Sequence, residues 1–419
     1  MQPKSKHKIT TLTGIAIVVA NMIGTGAFTS LGFQLKDLNN PSVVLTLWVL
    51  GGILALSGAF SYAEVGTVIS KSGGEYAFLS KIYNPLIGYL SGWISLTVGF
   101  AAPIAFSEYF PFGNFNVKWM SIALVAVITL IHTRSLKLSA EFQNISTLLK
   151  VILIVIIISI GLVLPEHSGN EIVSSKGYFT ELTSTAFAIA LIYVSYSYSG
   201  WNAAAYITEE FENPLKSLPK ALIGGTVLVT VLYTLLQYVF LKHVPVNDLA
   251  GQLNVGTIAT KQMLGEKAGS FFGLAISLLL ISGISAMVWV GPRVTLSIAK
   301  EHRLWSYFQT QENGIPKRAL WLQFGISALL LLTGTFEQIM IYCGILLTAS
   351  SLMTVLGVFK LRKQNQNQQR IGFKSPLFPL FQIVFILLSV WMIVYALINN
   401  PLESALGMSK ILNGTGTYF

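Results

Sequence analysis

Charge is what this chain has least of: Asp, Glu, Lys and Arg make up 11% of its 419 residues, against 53% hydrophobic. At a mean hydropathy of +0.65, so little charge cannot dissolve a folded surface. That excludes a soluble globule and leaves an all-α polytopic membrane protein. Cysteine is nearly absent. The one present, Cys343, lies in a long apolar run, which excludes an internal disulfide and leaves no loop thiol for a disulfide-linked partner subunit. Metal and cofactor signals are missing as well. The five histidines, His7, His132, His167, His243 and His302, read as scattered over loops without ligand spacing. There is no phosphate-binding loop ending in Gly-Lys-Ser or Gly-Lys-Thr, and no Gly-x-Ser-x-Gly elbow. Neither an ATP-driven pump nor a hydrolase is expected, and no cofactor.

Acidic residues are also in deficit, 17 against 27 Lys and Arg, for a formal charge of +10. The basic residues are spread over five short loops rather than gathered on a face, so membrane lipid headgroups and not nucleic acid are their expected partner.

What is abundant is long apolar sequence. Runs of the roughly 20 residues that cross a hydrocarbon core about 30 Å thick occur near 12–33, 43–69, 86–108, 117–131, 145–164, 182–208, 219–241, 270–299, 319–335, 338–359 and 376–398. Eleven spans follow. The tail 402–419, interrupted by Lys410 and Asn413, reads as either a short twelfth helix or an interfacial one. With the N-terminus in the cytoplasm, eighteen of the 27 Lys and Arg face inward and seven outward, as the positive-inside rule requires. The opening "KSKHK" imitates a signal peptide, but the run behind it is too long for an h-region and reads as a retained first helix. The expected location is the plasma or inner membrane.

The most polar interruption, "PEHSGNEIVSSKGYFTE", separates five spans from five. Because five is odd, two such halves enter the membrane from opposite sides, the topology of an inverted repeat. The expected units are 1–165, 178–362 and a C-terminal 375–419. Each half opens with a damaged helix: "GTG" at Gly24 to Gly26 in the first, a polar cluster at Ser195 to Gly200 in the second.

Main chain unwound in hydrocarbon costs several kcal/mol per orphaned group, so a break persists only where it lines a polar cavity. Amides at the N-terminus of the half-helix after "GTG" suit a carboxylate. Carbonyls at the ends of the preceding half-helices suit an ammonium, and a zwitterion fits both. Glycines in membrane helices also serve close packing; the matched second break favours the binding reading. Tyr193, Tyr196, Tyr198 and Trp201 cluster around that second break.

The blocks "GIAIVVANMIGTGAF", "GAFSYAEVGTVISKSGGEYAFL", "YSYSGWNAAAYITEEFENPLKSLPKAL" and "GPRVTLSIAKEHRLW" resemble the amino acid–polyamine–organocation superfamily of transporters over about residues 10–400. The resemblance implies a leucine-transporter-like five-plus-five fold, alternating access, and an amino acid bound between the first, third, sixth, eighth and tenth helices. It places the carboxylate cradle at Gly24, Thr25 and Gly26. It places the ammonium at the carbonyls of Met22, Tyr196 and Ser199, beside Gly200, with Tyr196 as an aromatic gate. Gly92 and Met287 would line the side-chain pocket. None of these positions is acidic, which implies a neutral substrate.

Three ionisable residues lie well inside the spans, Glu64, Lys150 and Arg293, and each is a functional candidate because charge there costs at least about 2.5–3.5 kcal/mol. Counted from Glu141, Lys150 sits about 13 Å along its helix, deep enough to compete with simple snorkelling. The resemblance implies that a lysine at this fifth-helix position replaces the sodium ion of sodium-driven relatives. Glu64, Glu209, Glu210 and Arg293 fall where the family has its inner gate, and static helix-end pairing is the alternative. Asn202 stands where some acid-activated members carry glutamate. The expected function is sodium-independent secondary transport of a neutral amino acid, by exchange or proton symport. A sodium-coupled carrier of the same fold and a non-transporting amino acid receptor stand as alternatives.

Overall fold

The computed structural model describes residues 9–97, 117–134, 136–170, 172, 177–309, 315–333, 336–364, 372–399 and 401–418. Its regular structure is helical, as lipid demands of a chain whose every buried N–H and C=O must pair locally. Starts are chemically marked. The Thr10 hydroxyl caps α1 (Thr11–Met22) through the Thr13 amide at 3.3 Å. Asn40 caps α3 (Pro41–Ile69) through the amides of Ser42 and Val43 at 2.9 and 3.4 Å, with Pro41 in the first turn.

The first expected span is two helices, α1 and α2 (Gly26–Gln34), separated by three residues. After α3 the chain turns through Ser70, Gly73 and Gly74, all at positive φ, into α4 (Glu75–Ile82) and α5 (Pro85–Thr97). Then come α6 (Val117–Arg134) and α7 (Leu136–Val163). In the second half, α8 (Tyr178–Leu182) precedes α9 (Thr185–Ser197), a turn, and a 3-10 helix over Ala203–Glu210. The sixth expected span, 182–208, is thus also divided.

Next are α10 (Pro214–His243), α11 (Val246–Leu249) and α12 (Val255–Glu301). The last is interrupted at Gly265, whose φ of 81° takes it out of the helical region. The chain ends with α13 (Lys317–Thr333), α14 (Phe336–Gln364), α15 (Leu380–Asn399) and α16 (Pro401–Tyr418). The tail left open above is therefore helical. At 1.5 Å per residue it is about 27 Å long, and it packs on α5 and α14.

Among the described residues, seven helical segments are long and apolar enough to cross a membrane, the first of them α1 and α2 taken together, with Trp119–Arg134 and Thr185–Ser197 as shorter apolar helices. The difference from eleven has identifiable sources. The break shortens the sixth span, the third is described only to Thr97, and α13 has 17 residues.

The core runs along α3, α10 and α1. Gly51 and Gly52 let α3 approach two neighbours at once, Val194 and Tyr198 on one side and Thr230 of α10 on the other. Trp48, Tyr62, Tyr198 and Tyr233 are fully enclosed there.

Candidate functional site

The first break begins where α1 stops at Met22. Ile23 takes φ −73° and ψ 84°, the shape of an inverse γ-turn, closed by the Gly24 amide donating to the Met22 carbonyl at 2.8 Å. Helix resumes at Gly26 behind Thr25, whose side chain makes no capping hydrogen bond. The Gly26 and Ala27 amides at the start of α2 therefore lack both an intrahelical and a side-chain acceptor, whereas those of Phe28 and Thr29 turn back to the Thr25 carbonyl at 2.9 and 3.1 Å. Thr25 and Gly26 are buried, and free amides at a helix N-terminus are groups of the kind that an anion can use.

Three donors from neighbouring helices hold the carbonyls of this segment. The Tyr233 hydroxyl donates to Met22 at 2.5 Å, and Gln237, one turn along α10, donates to Ala27 at 2.8 Å. The Lys150 ammonium, fully enclosed, donates to the Ile23 carbonyl. Because α7 starts at Leu136 rather than Glu141, Lys150 lies about 21 Å along its helix, deeper than the sequence suggests. Among the described residues no carboxylate pairs with it. A methyl group on Gly283 of α12 would lie 3.6 Å from both the Lys150 nitrogen and the Gly24 α-carbon. Gly283 thus marks where the eighth span meets the break.

The second break covers 198–202, a few residues later than expected, because the Ser197 hydroxyl bonds back to the Tyr193 carbonyl at 2.8 Å inside an intact helix. Gly200, at φ +97°, makes the turn. The two breaks touch. A Cβ on Gly200 would fall 2.7 Å from the Asn21 carbonyl carbon, and one on Gly26 would fall 2.7 Å from the Ser197 α-carbon. Ser30 and Ser197 share a hydrogen bond of 2.9 Å across the contact.

Of the carbonyls expected to hold an ammonium, Met22 has both lone pairs engaged, by Gly24 and Tyr233, and Tyr196 accepts from the Ser199 amide at 2.9 Å. Among the described residues no donor reaches the Ser199 carbonyl.

The remaining expected positions separate. Tyr196 sits in an apolar cluster with Phe33, Ile94, Tyr193 and Leu346, against which Met287 packs. Gly92 is elsewhere, facing Tyr76 and Ile298, and Ile94 is the third-span residue that shares the cluster. Behind the second break lies a cavity of about 70 Å³ between α3, residues 195–202, α14 and Phe385 of α15.

The four charges expected at one gate form two groups. Arg293 pairs with Glu210 at 3.2 Å and covers the Trp289 ring at 5.4 Å. Beside them Glu209 and Ser72 exchange two hydrogen bonds of 3.3 and 3.0 Å. Glu64 is apart, clasped by Arg362 at 2.8 and 2.7 Å and by the Ser375 amide at 2.9 Å, which ties α3 to the end of α14 and the approach to α15.

His132 is not in a loop. It is buried in the last turn of α6, which continues to Arg134, and its Nε2 lies 2.8 Å from the Ser285 hydroxyl. His243 likewise closes α10, with its Nδ1 3.0 Å from that of His167. No group of three or more metal-ligating side chains occurs among the described residues.

Sequence reading missed Tyr233, Gln237 and Glu75. The first two carry a signal, two polar residues four apart on one face of an otherwise apolar stretch. Glu75 lay inside a recognised block but had no assigned role.

A family model described as amino acid permease matches residues 9–412. The mouse b(0,+)-type amino acid transporter 1 is 30% identical over 426 residues, covering 97% of this chain and 86% of that one. The serine/threonine exchanger SteT of Bacillus subtilis (strain 168) is 26% identical, with 99% and 96% covered. The mouse large neutral amino acids transporter small subunit 2 is 26% identical, with 99% and 81% covered. These relatives are transporters and not enzymes, and with a family match spanning nearly its whole length this multi-pass membrane protein belongs to the amino acid permease family.

Proposed function

We infer that the chain carries neutral amino acids across the cell membrane by alternating access, as an exchanger or proton symporter and without sodium. The observation that carries this reading is the contact between the two breaks, with uncapped amides of α2 on one side and the Ser199 carbonyl on the other. Amides offer an anion site and a carbonyl accepts from an ammonium, so the pair suits the two ends of a zwitterion. Thr25, Gly26, Gly200 and Ser199 are the binding groups, and Tyr196 and Met287 bound the apolar side. Lys150 stands where a coupling cation would be needed and supplies its charge to the Ile23 carbonyl. The halves 1–165 and 178–362 act as inverted repeats, with 375–419 as an appendage and the N-terminus in the cytoplasm. Glu209, Glu210 and Arg293 close the inner side. Names such as b(0,+)-type transporter and serine/threonine exchanger support an amino acid cargo. The reading includes no disulfide-linked partner subunit, a view that the burial of Cys343 supports.

The test is uptake into proteoliposomes with sodium replaced by choline, beside a melting-temperature screen of the twenty amino acids. Uptake should persist in choline. A ligand at 100 times its Kd should add about 2.7 kcal/mol of apparent stability. Collapse of uptake without sodium rejects the cation-surrogate reading, and binding without lumenal accumulation rejects transport.

A further inference from the structure

Two buried titratable groups stand outside the reading above, and only one of them is finished by the fold. Glu75, the first residue of α4, is 2% exposed, and its carboxylate accepts from the Tyr62 hydroxyl at 2.8 Å, the Asn202 side-chain amide at 2.5 Å and the Tyr206 hydroxyl. It needs no further partner. His243 is fully enclosed at the end of α10, with its Nε2 2.7 Å from the Gly161 carbonyl. A carbonyl only accepts, so Nε2 carries the proton and Nδ1 of the neutral ring presents a lone pair. That lone pair faces His167. The two Nδ1 atoms are 3.0 Å apart with the rings inclined at 38°, and a single proton, on His167, joins them.

The main chain fixes where the His167 ring hangs. The amides of His167 and Ser168 both donate to the Lys242 carbonyl at 3.3 Å, and the Asn170 side-chain amide donates to the carbonyls of Leu241 and Val244 at 2.7 and 2.9 Å. The C-termini of α7 and α10 meet here, and helix C-termini favour cations. Lys242 uses part of that field, donating to the carbonyls of Gly161, Leu162 and Leu164 at 3.1, 3.0 and 2.7 Å. Glu166 opposes its charge, and these two, with His167, are the titratable groups that bear on His243. Paired imidazole nitrogens suit zinc, copper and nickel. The outer nitrogen of a ligating histidine is ordinarily held by a carbonyl or carboxylate, as Gly161 holds Nε2 of His243. Zinc–nitrogen bonds of about 2.0–2.1 Å at a tetrahedral angle put the two nitrogens about 3.3 Å apart. The rings need part only slightly, and His167, which is exposed, provides the way in. Two imidazoles fall short of a closed structural site, so the remaining positions go to water or the Glu166 carboxylate.

We propose that His167 and His243 form a reversible site for a divalent transition-metal ion, and that the bound ion slows transport by tying the chain after α7 to the end of α10. The ion takes the place of the shared proton, which leaves to solvent. Lys150 of α7 and Tyr233 and Gln237 of α10 brace the first break, so a tie between these two helices restrains that segment. Binding is independent of the transport reading; the slowing rests on it.

The measurement uses zinc on the full chain, by melting temperature in detergent and by uptake of a radiolabelled amino acid into proteoliposomes. Zinc should raise the melting temperature and slow uptake, and EDTA should reverse both. Magnesium, which seeks oxygen ligands, should do neither. His167→Ala, at an exposed position, should still fold and should need at least about tenfold more zinc. His167→Cys should restore the response, because a thiolate also ligates zinc, whereas His167→Ser should not. Imidazole binds metal only through an unprotonated nitrogen, so the zinc required should rise as the pH is lowered from about 8 to about 6. A melting temperature indifferent to zinc, or an equal response in the parent, His167→Ala and His167→Ser, overturns the site. A zinc-dependent melting temperature with uptake unchanged overturns the slowing. Absence of uptake with or without metal rejects the transport reading and leaves the site standing.

Discussion

The two breaks do the same job with opposite chemistry. At the first, the scaffold donates: Lys150, Tyr233 and Gln237 reach in from α7 and α10 and hold main-chain carbonyls. At the second, the scaffold accepts: Glu75 reaches in from α4 and holds the side chains of Asn202 and Tyr206. Among the described residues neither Lys150 nor Glu75 has an ion-pair partner, so one cation braces one break and one anion the other, each bonded by neutral groups. Carbonyls fixed by donors leave the Gly26 and Ala27 amides as open main-chain donors, the kind of group that suits an anion. At the second, among the described residues no donor reaches the Ser199 carbonyl, so that break has an acceptor to offer. On the proposed function, this difference in bracing would sort the two ends of a zwitterion.

The comparison breaks most visibly if the cation is removed. A hydrogen bond to a charged group is worth about 1.5–3 kcal/mol, and Lys150→Ala deletes one from the residue where the chain changes direction. Uptake should fall about 10- to 100-fold or more while the protein still elutes as a single species in detergent. Near wild-type flux would mean that the first break does not depend on a donated charge.

The glycines give the second test. Gly200 is at φ +97° and already against Asn21, whereas a Cβ on Gly24 would meet only the Met22 carbonyl oxygen, 3.9 Å away. Gly200→Ala should cost roughly 1–3 kcal/mol of backbone strain plus the collision, seen as a clear drop in melting temperature. Gly24→Ala should stay within about 0.5 kcal/mol of the parent. Equal losses would show that the two turns are equally constrained.

Legibility in the sequence was uneven for a physical reason. Apolar runs and the "GTG" interruption are local, and they led directly to the helices and to the first break. The second break was misplaced by a few residues because Ser195 and Ser197 look disruptive, but Ser197 satisfies its hydroxyl on its own helix. Gly92 and Ile94 lie two positions apart, about 200° around a helix, so a small alignment slip exchanges the packed face for the cluster face. Long-range pairings left no trace. Glu64 and Arg362 are 298 residues apart, and nothing near either one names the other. Glu75 was readable only as part of a family block, since a carboxylate satisfied by two tyrosines and an asparagine has no charge pattern.

Tyr233→Phe sharpens the comparison more gently. It keeps the ring, which packs edge-on against Trp48 at 5.5 Å and Tyr198 at 5.2 Å, and removes only the hydroxyl on the Met22 carbonyl. A neutral hydrogen bond contributes about 1 kcal/mol, so KM should rise about fivefold with little change in melting temperature. If the second break responds instead, through Tyr198, the fall will appear in Vmax, and the two breaks would have to be treated as one unit.

The smallest effect belongs to Glu210→Gln, at the far end of the 3-10 helix that continues from the second break. Its pair with Arg293 is partly open to solvent, the side chains being 35% and 25% exposed, so it should contribute no more than about 1 kcal/mol. The Glu75 bonds at the other end of that helix are enclosed. Salt distinguishes the two ends. At about 1 M the screening length falls to about 3 Å, so the modest change in uptake caused by Glu210→Gln should shrink as choline chloride is raised, while any effect of Glu75→Gln should not. A Glu210 effect indifferent to salt would place that pair in the same dry environment as Glu75. The arm of the second break would then be held at both ends by buried charge.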